Sequence, residues 1–515
     1  QRESVQVLVE KLLRSLPGIT SIFLLIRPLK NESGASRWAR VEGSVLFNQI
    51  RMHFPQRLAK IVVIEGDIAE EDFGISSTDL KRILSMTSVV FHCAATVNLN
   101  EKLKKATNIN VLGVKRMVTL CPRMSKLEPG EKIEEKFYPS EFDAAKLLTA
   151  IDNLNDTQSD YISGLLTKNL YNTYCLTKAL GEQIIQSEPD LPAIIFRPSI
   201  IISIWKDGIP GWIDTFQGIA ALFGAMYAGV LPRIPILSHN PKSILGCVPL
   251  DVVVSMMIVC AGYRMNNNNS HIPVFHCCTT ELNPFRLEKQ LMIARKYAMQ
   301  YPAEKFLCSP SFNPGGFQCV ESLRHKMRMG CMGPVLDKLT TFFRQPPFWT
   351  KLYTKVGHAY TNLLPFSRHY HFESTGMLKL IEMMSEEDRN TFDFDVRKIN
   401  WTEFSCNGML GLKIFLMKDD VSTDAAIRRT KIRLVSHQLI SLLPVFVILY
   451  MISVVLSRSF TAWQIFLPLM LISTLLTLKD WCTCTKIKPL EEYREEIEKI
   501  MGEPIRSKKD KIPIV

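Results

Sequence analysis

Tyr174 and Lys178 are the pair of residues in this sequence whose types and spacing best fit a chemical step. A separation of four residues places the phenol and the ammonium on the same face of a helix. A cation beside a phenol favours the phenolate and lowers a pKa that is ordinarily about 10. A proton donor of this kind is what hydride addition to a carbonyl requires. The pair therefore predicts a reductase site.

The same spacing arises by chance, and Tyr301 and Lys305 repeat it in this chain. Pro302 follows Tyr301 and no helical pattern begins there. The residues after Tyr174, in contrast, have a helical pattern and lead into an apolar strand at 193–196. We therefore take Tyr174 and Lys178 as the candidate catalytic pair.

The elements that must position this pair alternate between strands and helices. Apolar runs predict strands at 22–26, 61–64 and 89–91, and apolar residues at helical spacing predict helices at 5–16 and 103–120. This alternation is typical of an α/β fold with a Rossmann-like, doubly wound parallel sheet, in which ligands bind at the carboxyl ends of the strands.

Residues at these strand ends predict a dinucleotide site. Arg27 suits the 2′-phosphate of NADPH better than the free ribose diol of NADH, although an arginine that is merely solvated remains an equal alternative. Asp67 is placed to accept a hydrogen bond from the adenine amino group. Ala94 and Thr96 are small, so the backbone there can approach a dinucleotide closely.

Two parts of such a fold are missing from the sequence. A dinucleotide fold begins with a strand and a glycine-rich turn that holds the pyrophosphate, and no such turn occurs here. Because the helix at 5–16 is the one that would follow this turn, we expect the first strand and the turn to lie before Gln1. Residues 121–173 contain no apolar run of strand length, which predicts that a later strand of the sheet is missing as well.

The composition limits the kinds of binding partner that we expect. The chain has 515 residues and a formal net charge of +12, but its lysines and arginines are scattered and form no stripe for nucleic acid. Phosphate-rich small ligands or an anionic membrane surface account for the charge equally well. The 13 cysteines lack metal-ligand spacing, so we expect reduced thiols and no metal site.

The C-terminal part differs from the preceding residues in its composition and its predicted elements. Residues 1–330 are predicted to form the NADP-binding domain, and residues 331–420, rich in aromatic residues and without alternating strands, a second, helical domain. Apolar runs at 434–456 and 462–478 are flanked by basic residues on both sides, which predicts a membrane hairpin at 434–478 with both flanks in the cytosol. Residues 479–515 would be a basic cytosolic tail. A single span with an interfacial second helix is the alternative.

Taken together, these motifs resemble those of one family. The combination is similar to the alcohol-forming fatty acyl-CoA reductases, of the extended short-chain dehydrogenase type, and in particular to arthropod members with a C-terminal membrane anchor. The matching segments are 24–28, 66–67, 91–97, 110–113, 174–178, 196–199, 210–214, 283–284 and 392–401.

The resemblance implies an enzyme of lipid metabolism that reduces a long-chain acyl-CoA to a primary alcohol through an aldehyde, using two NADPH. Tyr174 would protonate the carbonyl oxygen, and Lys178 would hold the nicotinamide ribose and tune Tyr174. Asn110 and Pro198 would complete the cofactor site. The resemblance also implies contact with membrane lipid, at the endoplasmic reticulum or peroxisome, with a homodimer as one assembly.

The chain departs from the family at one catalytic position. The family carries a serine on the strand before the long loop, whereas residues 126–128 here run straight into Pro129, so no residue inherits the serine's role. Two alternatives therefore stay open. One alternative to an active acyl-CoA reductase is a catalytically inactive membrane-bound relative. The other is an extended short-chain dehydrogenase that acts on another lipid or a sterol.

Overall fold

A computed structural model gives the fold of most of the chain. It describes residues 2–98, 101–119, 132–137, 143–166, 172–186, 191–215, 218–229, 244–267, 271–304, 333–342, 346–351, 371–419 and 489–505, together with residues 354, 428 and 432. The predicted membrane hairpin at 434–478 and the junction at 126–129 lie outside the described residues.

Within the described residues, the strands form five pairs and no continuous sheet. Four pairs are parallel and one is antiparallel. They are β1 (Ile22–Ile26) with β2 (Ile61–Glu65), β4 (Ile195–Pro198) with β8 (Val274–Cys277), β5 (Ile200–Ile202) with β7 (Cys247–Pro249), β3 (Lys132–Ile133) with β10 (His371–Phe372), and the antiparallel β6 (Ile244–Leu245) with β9 (Phe285–Arg286).

Helices surround these strands and follow the apolar periodicity of the sequence. Several begin at a residue whose side chain accepts a backbone hydrogen bond at the helix start, among them Ser33, Asp143 and Asn400. The α-helices are Arg2–Ser15, Gly34–Glu42, Asn48–His53, Ser77–Met86, Leu103–Thr107, Gly113–Thr119, Ala144–Asn153, Asp156–Leu166, Thr173–Gln186, Gly218–Tyr227, Leu250–Asn266, Leu287–Gln300, Gly333–Phe342, Thr375–Met383, Glu386–Thr391, Trp401–Gly411 and Leu490–Met501. A π-helical turn, Asn108–Leu112, joins the two helices predicted as one run at 103–120.

The strand predicted at 89–91 is wrong. These residues are coil in the structure, and the side chains of Val89 and Val90 are 37% and 58% exposed. A strand forms only where a neighbouring strand takes up its backbone hydrogen bonds. Among the described strands, β1 pairs only with β2 and β4 only with β8, so no partner lies beside 89–91.

Residues 121–173 supply no strand to the main parallel pairs within their described part. The short strand β3 lies in this region, but it pairs with β10 of the C-terminal part. The rest of the described segment contains the helices Ala144–Asn153 and Asp156–Leu166. Asn283, in one of the segments that carry the family resemblance, donates hydrogen bonds to the carbonyls of Val396 and Ile399, each at 2.9 Å.

Buried charges attach the first helix to the middle of the chain. Lys11 forms an ion pair with Asp207, and Arg14 contacts Asp207 at 2.8 Å and Glu10 at 2.7 Å. The buried carboxylate of Asp251 accepts hydrogen bonds from the backbone N–H groups of residues 205, 206 and 207. Because each charge has a partner, this group can be buried without a large desolvation cost.

The C-terminal helix Leu490–Met501 packs into the same body. Its Tyr493 hydroxyl donates to the Pro210 carbonyl at 2.6 Å, and Asn48 donates to the Met501 carbonyl at 3.0 Å. Leu490, Tyr493 and Met501 are buried, although the sequence predicted only a basic tail here. No helix within the described residues is long and apolar enough to cross a membrane.

The helix Trp401–Gly411 crosses the segment around Gly211 at backbone contact. A Cβ atom added at Gly411 would lie 2.1 Å from the Gly211 carbonyl oxygen, and Gly211 itself has φ +78°. We expect Gly411→Ala to destabilise the protein by about 1–3 kcal/mol, because two backbones must separate to admit the methyl group. Gly164→Ala is the matched control, since nothing lies within 4 Å of its added Cβ and it lies in the helix Asp156–Leu166.

Thermal unfolding of the two variants measures this difference. The control should raise the melting temperature slightly, because alanine is favoured over glycine in a helix by roughly 0.5–1 kcal/mol. Equal melting temperatures for both variants would contradict the close backbone contact.

Candidate active site

One large cavity contains every site residue predicted from the sequence. Its volume is about 3110 Å³. The residues that line it include all eight predicted positions: Arg27, Asp67, Ala94, Thr96, Asn110, Tyr174, Lys178 and Pro198. These positions come from segments up to 171 residues apart in the chain (198 − 27 = 171), so the fold brings them together.

The cavity lies between the β1–β2 pair and the β4–β8 pair. All five residues of β1 and all four residues of β4 line it. Ligand pockets commonly have volumes of about 300–1,000 Å³. This cavity is larger than such a pocket, and no described strand lies between β1 and β4 to fill it.

The ends of β1 and β2 form one polar side of the cavity. Arg27 follows β1 and Asp67 follows β2, and their side chains form an ion pair at 3.4 Å. Arg27 is 57% exposed at its side chain, so the pair contributes little to stability and separates readily for a ligand. The second oxygen of Asp67 accepts the backbone N–H of Ala69 at 3.0 Å. This side of the cavity therefore presents one guanidinium and one carboxylate.

Asn110 holds the coil at 94–98 against the helix Thr173–Gln186. Its side-chain oxygen accepts the Thr96 N–H at 2.7 Å, and its amide donates to the Thr96 carbonyl at 3.2 Å and to the Thr177 hydroxyl at 2.9 Å. Asn110 is 1% exposed and Thr177 is fully buried. Asn110 thus positions cofactor-site residues, and its own polar groups are already engaged.

Tyr174 and Lys178 both border the cavity from this helix. Within the described residues, no hydrogen bond or ion pair joins the Tyr174 hydroxyl or the Lys178 ammonium to another group. Burial, with a smaller effect of Cys175, raises the pKa of Tyr174 to about 12. The sequence analysis expected Lys178 to lower this pKa, but burial and Cys175 both act in the opposite direction.

Lys178 lies among protein atoms but opens to the cavity. Burial lowers the pKa of the ammonium, while Glu182 and Cys93 oppose that change. The side chain is exposed to the cavity, so water there limits the loss of hydration.

His92 is a cavity residue that the sequence analysis did not single out as a site residue. Its Nε2 atom is buried without a hydrogen-bond partner. Burial and the charge of Lys178 lower the pKa of His92 to about 4, so the ring is neutral at pH 7. Its position directly before Ala94 and Thr96 was the available signal.

Arg197 and Glu182 form a second pair that was missed. Arg197 Nε donates to Glu182 Oε1 at 3.1 Å, and Arg197 Nη2 donates to Glu182 Oε2 at 2.7 Å. Glu182 lies four residues after Lys178 on the same helix, which is the spacing of neighbours on one helix face. That spacing was the signal in the sequence.

The second Tyr-Lys copy lies elsewhere. Tyr301 is 5% exposed and does not line the cavity, and its hydroxyl accepts the backbone N–H of Leu490 at 3.1 Å. Lys305 lies outside the described residues. Tyr301 therefore lies outside the cavity that Tyr174 borders.

Comparisons with known proteins point to one group of enzymes. The NAD-binding model of the male sterility protein family matches residues 6–257, and a second model of that family, Sterile, matches residues 330–419. Fatty acyl-CoA reductase 1 of Gallus gallus is 30% identical over 438 residues, which are 82% of this chain and 84% of that protein. Fatty acyl-CoA reductase 2 of Bos taurus is 29% identical over 431 residues, 81% and 83% of the two chains.

Solved structures show the same fold. The terminal R domain from the myxalamid PKS-NRPS biosynthetic pathway has a TM-score of 0.51 at 16% identity, covering 80% of this chain and 86% of its own. A reductase domain of a nonribosomal peptide synthetase from Mycobacterium tuberculosis has a TM-score of 0.51 at 14% identity, covering 80% and 90%. The described strand pairs are thus parts of a Rossmann-like reductase fold.

Asn110→Leu tests the link between the coil at 94–98 and the Tyr174 helix. The substitution leaves the Thr96 N–H without its acceptor and removes the amide that donates to the Thr96 carbonyl and the Thr177 hydroxyl, so we expect a loss of about 1–3 kcal/mol in the free energy of unfolding. Asn153→Leu is the control, because Asn153 is exposed and bonds only to the carbonyl of Thr149 in its own helix. Urea unfolding followed by circular dichroism measures both, and an equal midpoint for the two variants would contradict the bridging role.

Proposed function

Because the chain belongs to the fatty acyl-CoA reductase family, we propose that it reduces a long-chain fatty acyl-CoA to a primary fatty alcohol, with NADPH as the reductant. The observation that carries this proposal is the placement of Tyr174 and Lys178 in one cavity with the strand-end residues Arg27 and Asp67. The overall change is acyl-CoA plus two NADPH and two protons to alcohol, free CoA thiol and two NADP⁺, with the aldehyde as the product of the first reduction.

Tyr174 is the proton donor in this proposal. NADPH, when bound, supplies the hydride for each reduction. The pKa of Tyr174 near 12 keeps the phenol protonated at neutral pH, so the hydroxyl can donate a hydrogen bond to the substrate carbonyl oxygen. As negative charge develops on that oxygen, the phenol proton moves to it. The Lys178 charge, on the same helix face, then stabilises the phenolate that remains.

The residues along the cavity support NADPH in particular. Arg27 offers an exposed guanidinium for a 2′-phosphate, and Asp67 beside it offers a carboxylate for the adenine amino group. Lys178 would donate to the hydroxyls of the nicotinamide ribose.

We also propose that residues 434–478 anchor the protein to a membrane of the endoplasmic reticulum or peroxisome as a hairpin. The helix Leu490–Met501 supports this topology, because it packs against Trp401–Gly411 and Asn48–His53 on the reductase body. Chain before and after the apolar segment therefore meets in one body, which requires that both ends leave the membrane on the same side. A single span would separate them.

The division into domains remains part of the proposal. A reductase domain at 1–330 and a helical domain at 331–420 are compatible with the two matching family models. The tail at 479–515 would lie on the cytosolic side with the reductase body, since Leu490–Met501 packs there.

An inactive membrane-bound relative is the second candidate. The absence from the sequence of a residue that inherits the serine's role, together with the large separation of β1 and β4, favours it. Such a protein would bind an acyl chain or a dinucleotide without turnover. A third candidate function is reduction of another lipid or a sterol. The similarity to fatty acyl-CoA reductases disfavours it.

Tyr174→Phe separates these candidates. In membrane fractions supplied with palmitoyl-CoA and NADPH, we expect the unaltered protein to form fatty alcohol and the variant to lose at least about 100-fold in rate, because a general acid contributes at this level. Tyr161→Phe is the control, since Tyr161 is 80% exposed on another helix and should keep full activity. The same assay with NADH in place of NADPH tests the choice of cofactor.

Each outcome has a clear meaning. No alcohol and no aldehyde from the unaltered protein would overturn the enzyme proposal and leave the inactive relative. Full activity of Tyr174→Phe would remove Tyr174 from the mechanism. Reduction of a sterol but not of palmitoyl-CoA would overturn the choice of substrate.

A further inference from the structure

Lys178 and Glu182 have the spacing of an ion pair, but the carboxylate is bound elsewhere. Side chains four residues apart on a helix are neighbours, and opposite charges at this spacing ordinarily attract. Here both carboxylate oxygens of Glu182 accept hydrogen bonds from Arg197, at 3.1 and 2.7 Å. A bidentate guanidinium–carboxylate pair of this kind is stronger and more directional than a lysine contact.

Arg197 is itself fixed from the other side. Its Nη1 donates to the Lys136 carbonyl at 3.2 Å and lies 3.3 Å from His276 Nε2. Burial and the charge of Arg197 lower the pKa of His276 to about 4, so the ring is neutral and Nε2 accepts. His276 Nδ1 then donates to the Glu373 carbonyl at 3.1 Å. The orientation of Arg197 is therefore set by β8 and the segments around residues 136 and 373.

Other charged groups on the cavity wall include two ion pairs. They are Arg27 with Asp67, at 3.4 Å, and Lys105 with Glu101, at 2.9 Å. On the coil facing the helix, His92 and Cys93 interact electrostatically with Lys178, and the histidine is neutral. On its own helix, Tyr174 is protonated and Glu182 is the anion. Among the described residues, the Lys178 ammonium has no ion-pair partner within bonding distance.

We propose that Arg197 is a positioning residue that holds the Glu182 carboxylate away from Lys178 and so leaves the ammonium available to a ligand in the cavity. The expected ligand is the ribose of the nicotinamide cofactor, so the identity of the ligand rests on the proposed function.

The same contacts connect the site to the C-terminal part of the chain. Glu135, which caps the helix Thr375–Met383 at Gly376, accepts the His276 N–H at 2.9 Å.

The test measures the pKa of Lys178 in the unliganded full chain. Lysines are acetylated at a series of pH values with isotope-tagged acetic anhydride, and mass spectrometry reports the modification of the Lys178 peptide. Arg197→Met frees Glu182 to pair with Lys178, so the pKa of Lys178 should rise by roughly one unit. Glu182→Gln removes the anion and leaves the Arg197 charge, so the pKa of Lys178 should fall by a similar amount.

The opposite directions separate positioning from a merely structural role. Loosening of the helix in both variants would expose Lys178 and move both pKa values upward toward the ordinary value. A rise in Glu182→Gln, or no change in either variant, would overturn the proposal. If Arg197→Met fails to fold by circular dichroism, Arg197→Lys takes its place. A lysine keeps the positive charge but loses the bidentate contact with Glu182, so a raised pKa of Lys178 supports the proposal and any other result overturns it.

Two controls make the measurement specific. Arg397→Met removes a bidentate pair with Asp395, at 2.8 Å for both contacts, that lies outside the cavity, and it should leave the pKa of Lys178 unchanged. Lys146, whose side chain is 87% exposed, serves as the internal standard for labelling in every sample. A shift of Lys178 in Arg397→Met would overturn the assignment of the effect to Arg197.

The result does not depend on turnover. No NADPH or acyl-CoA is present during labelling, so opposite shifts support the charge arrangement even if the protein reduces nothing. Labelling of the unaltered protein with added NADPH is a separate arm. Failure of NADPH to protect Lys178 would count against the proposed function and leave the pairing of Arg197 with Glu182 intact.

Discussion

The constraint on which the rest of this structure depends is that, among the described strands, no strand hydrogen bonds join the two halves of the parallel sheet. The β1–β2 pair and the β4–β8 pair face each other across the cavity, and other contacts must hold them in place. Asn110 supplies one by bonding to Thr96 and Thr177, and the buried charges on the first helix supply another. The site therefore depends on side-chain contacts that a continuous sheet would make less important.

The sequence predicted helices better than strands, because a strand depends on a partner elsewhere in the chain. Helices satisfy their backbone hydrogen bonds internally, so apolar periodicity was enough for the helix that carries Tyr174. A strand needs a partner, and residues 89–91 have the right composition but no described neighbour with which to pair. Residues 490–501 show the opposite error, since local charge concealed the buried stripe of Leu490, Tyr493 and Ile497.

The predicted site residues lie around one cavity, but the sequence did not reveal the state of each side chain. Strand ends and a helix spacing were sufficient to select residues that share a cavity, because parallel strands end at one edge of a sheet. Their states depend on burial and on long-range partners, which spacing does not reveal. Tyr174 has a raised pKa because protein atoms surround it, and Glu182 is bound by Arg197 from another strand. The family resemblance is confirmed by relatives that match over four-fifths of the chain.

Hydrogen exchange with and without NADPH tests most directly whether this cavity is the dinucleotide site. The coil at 89–98 has few backbone hydrogen bonds of its own, so its amides should report a bound ligand. The account predicts that NADPH slows exchange in peptides covering 89–98 and 24–28, with no change in 490–501. Unaltered exchange in 89–98 at saturating NADPH, or protection confined to another region, would contradict it.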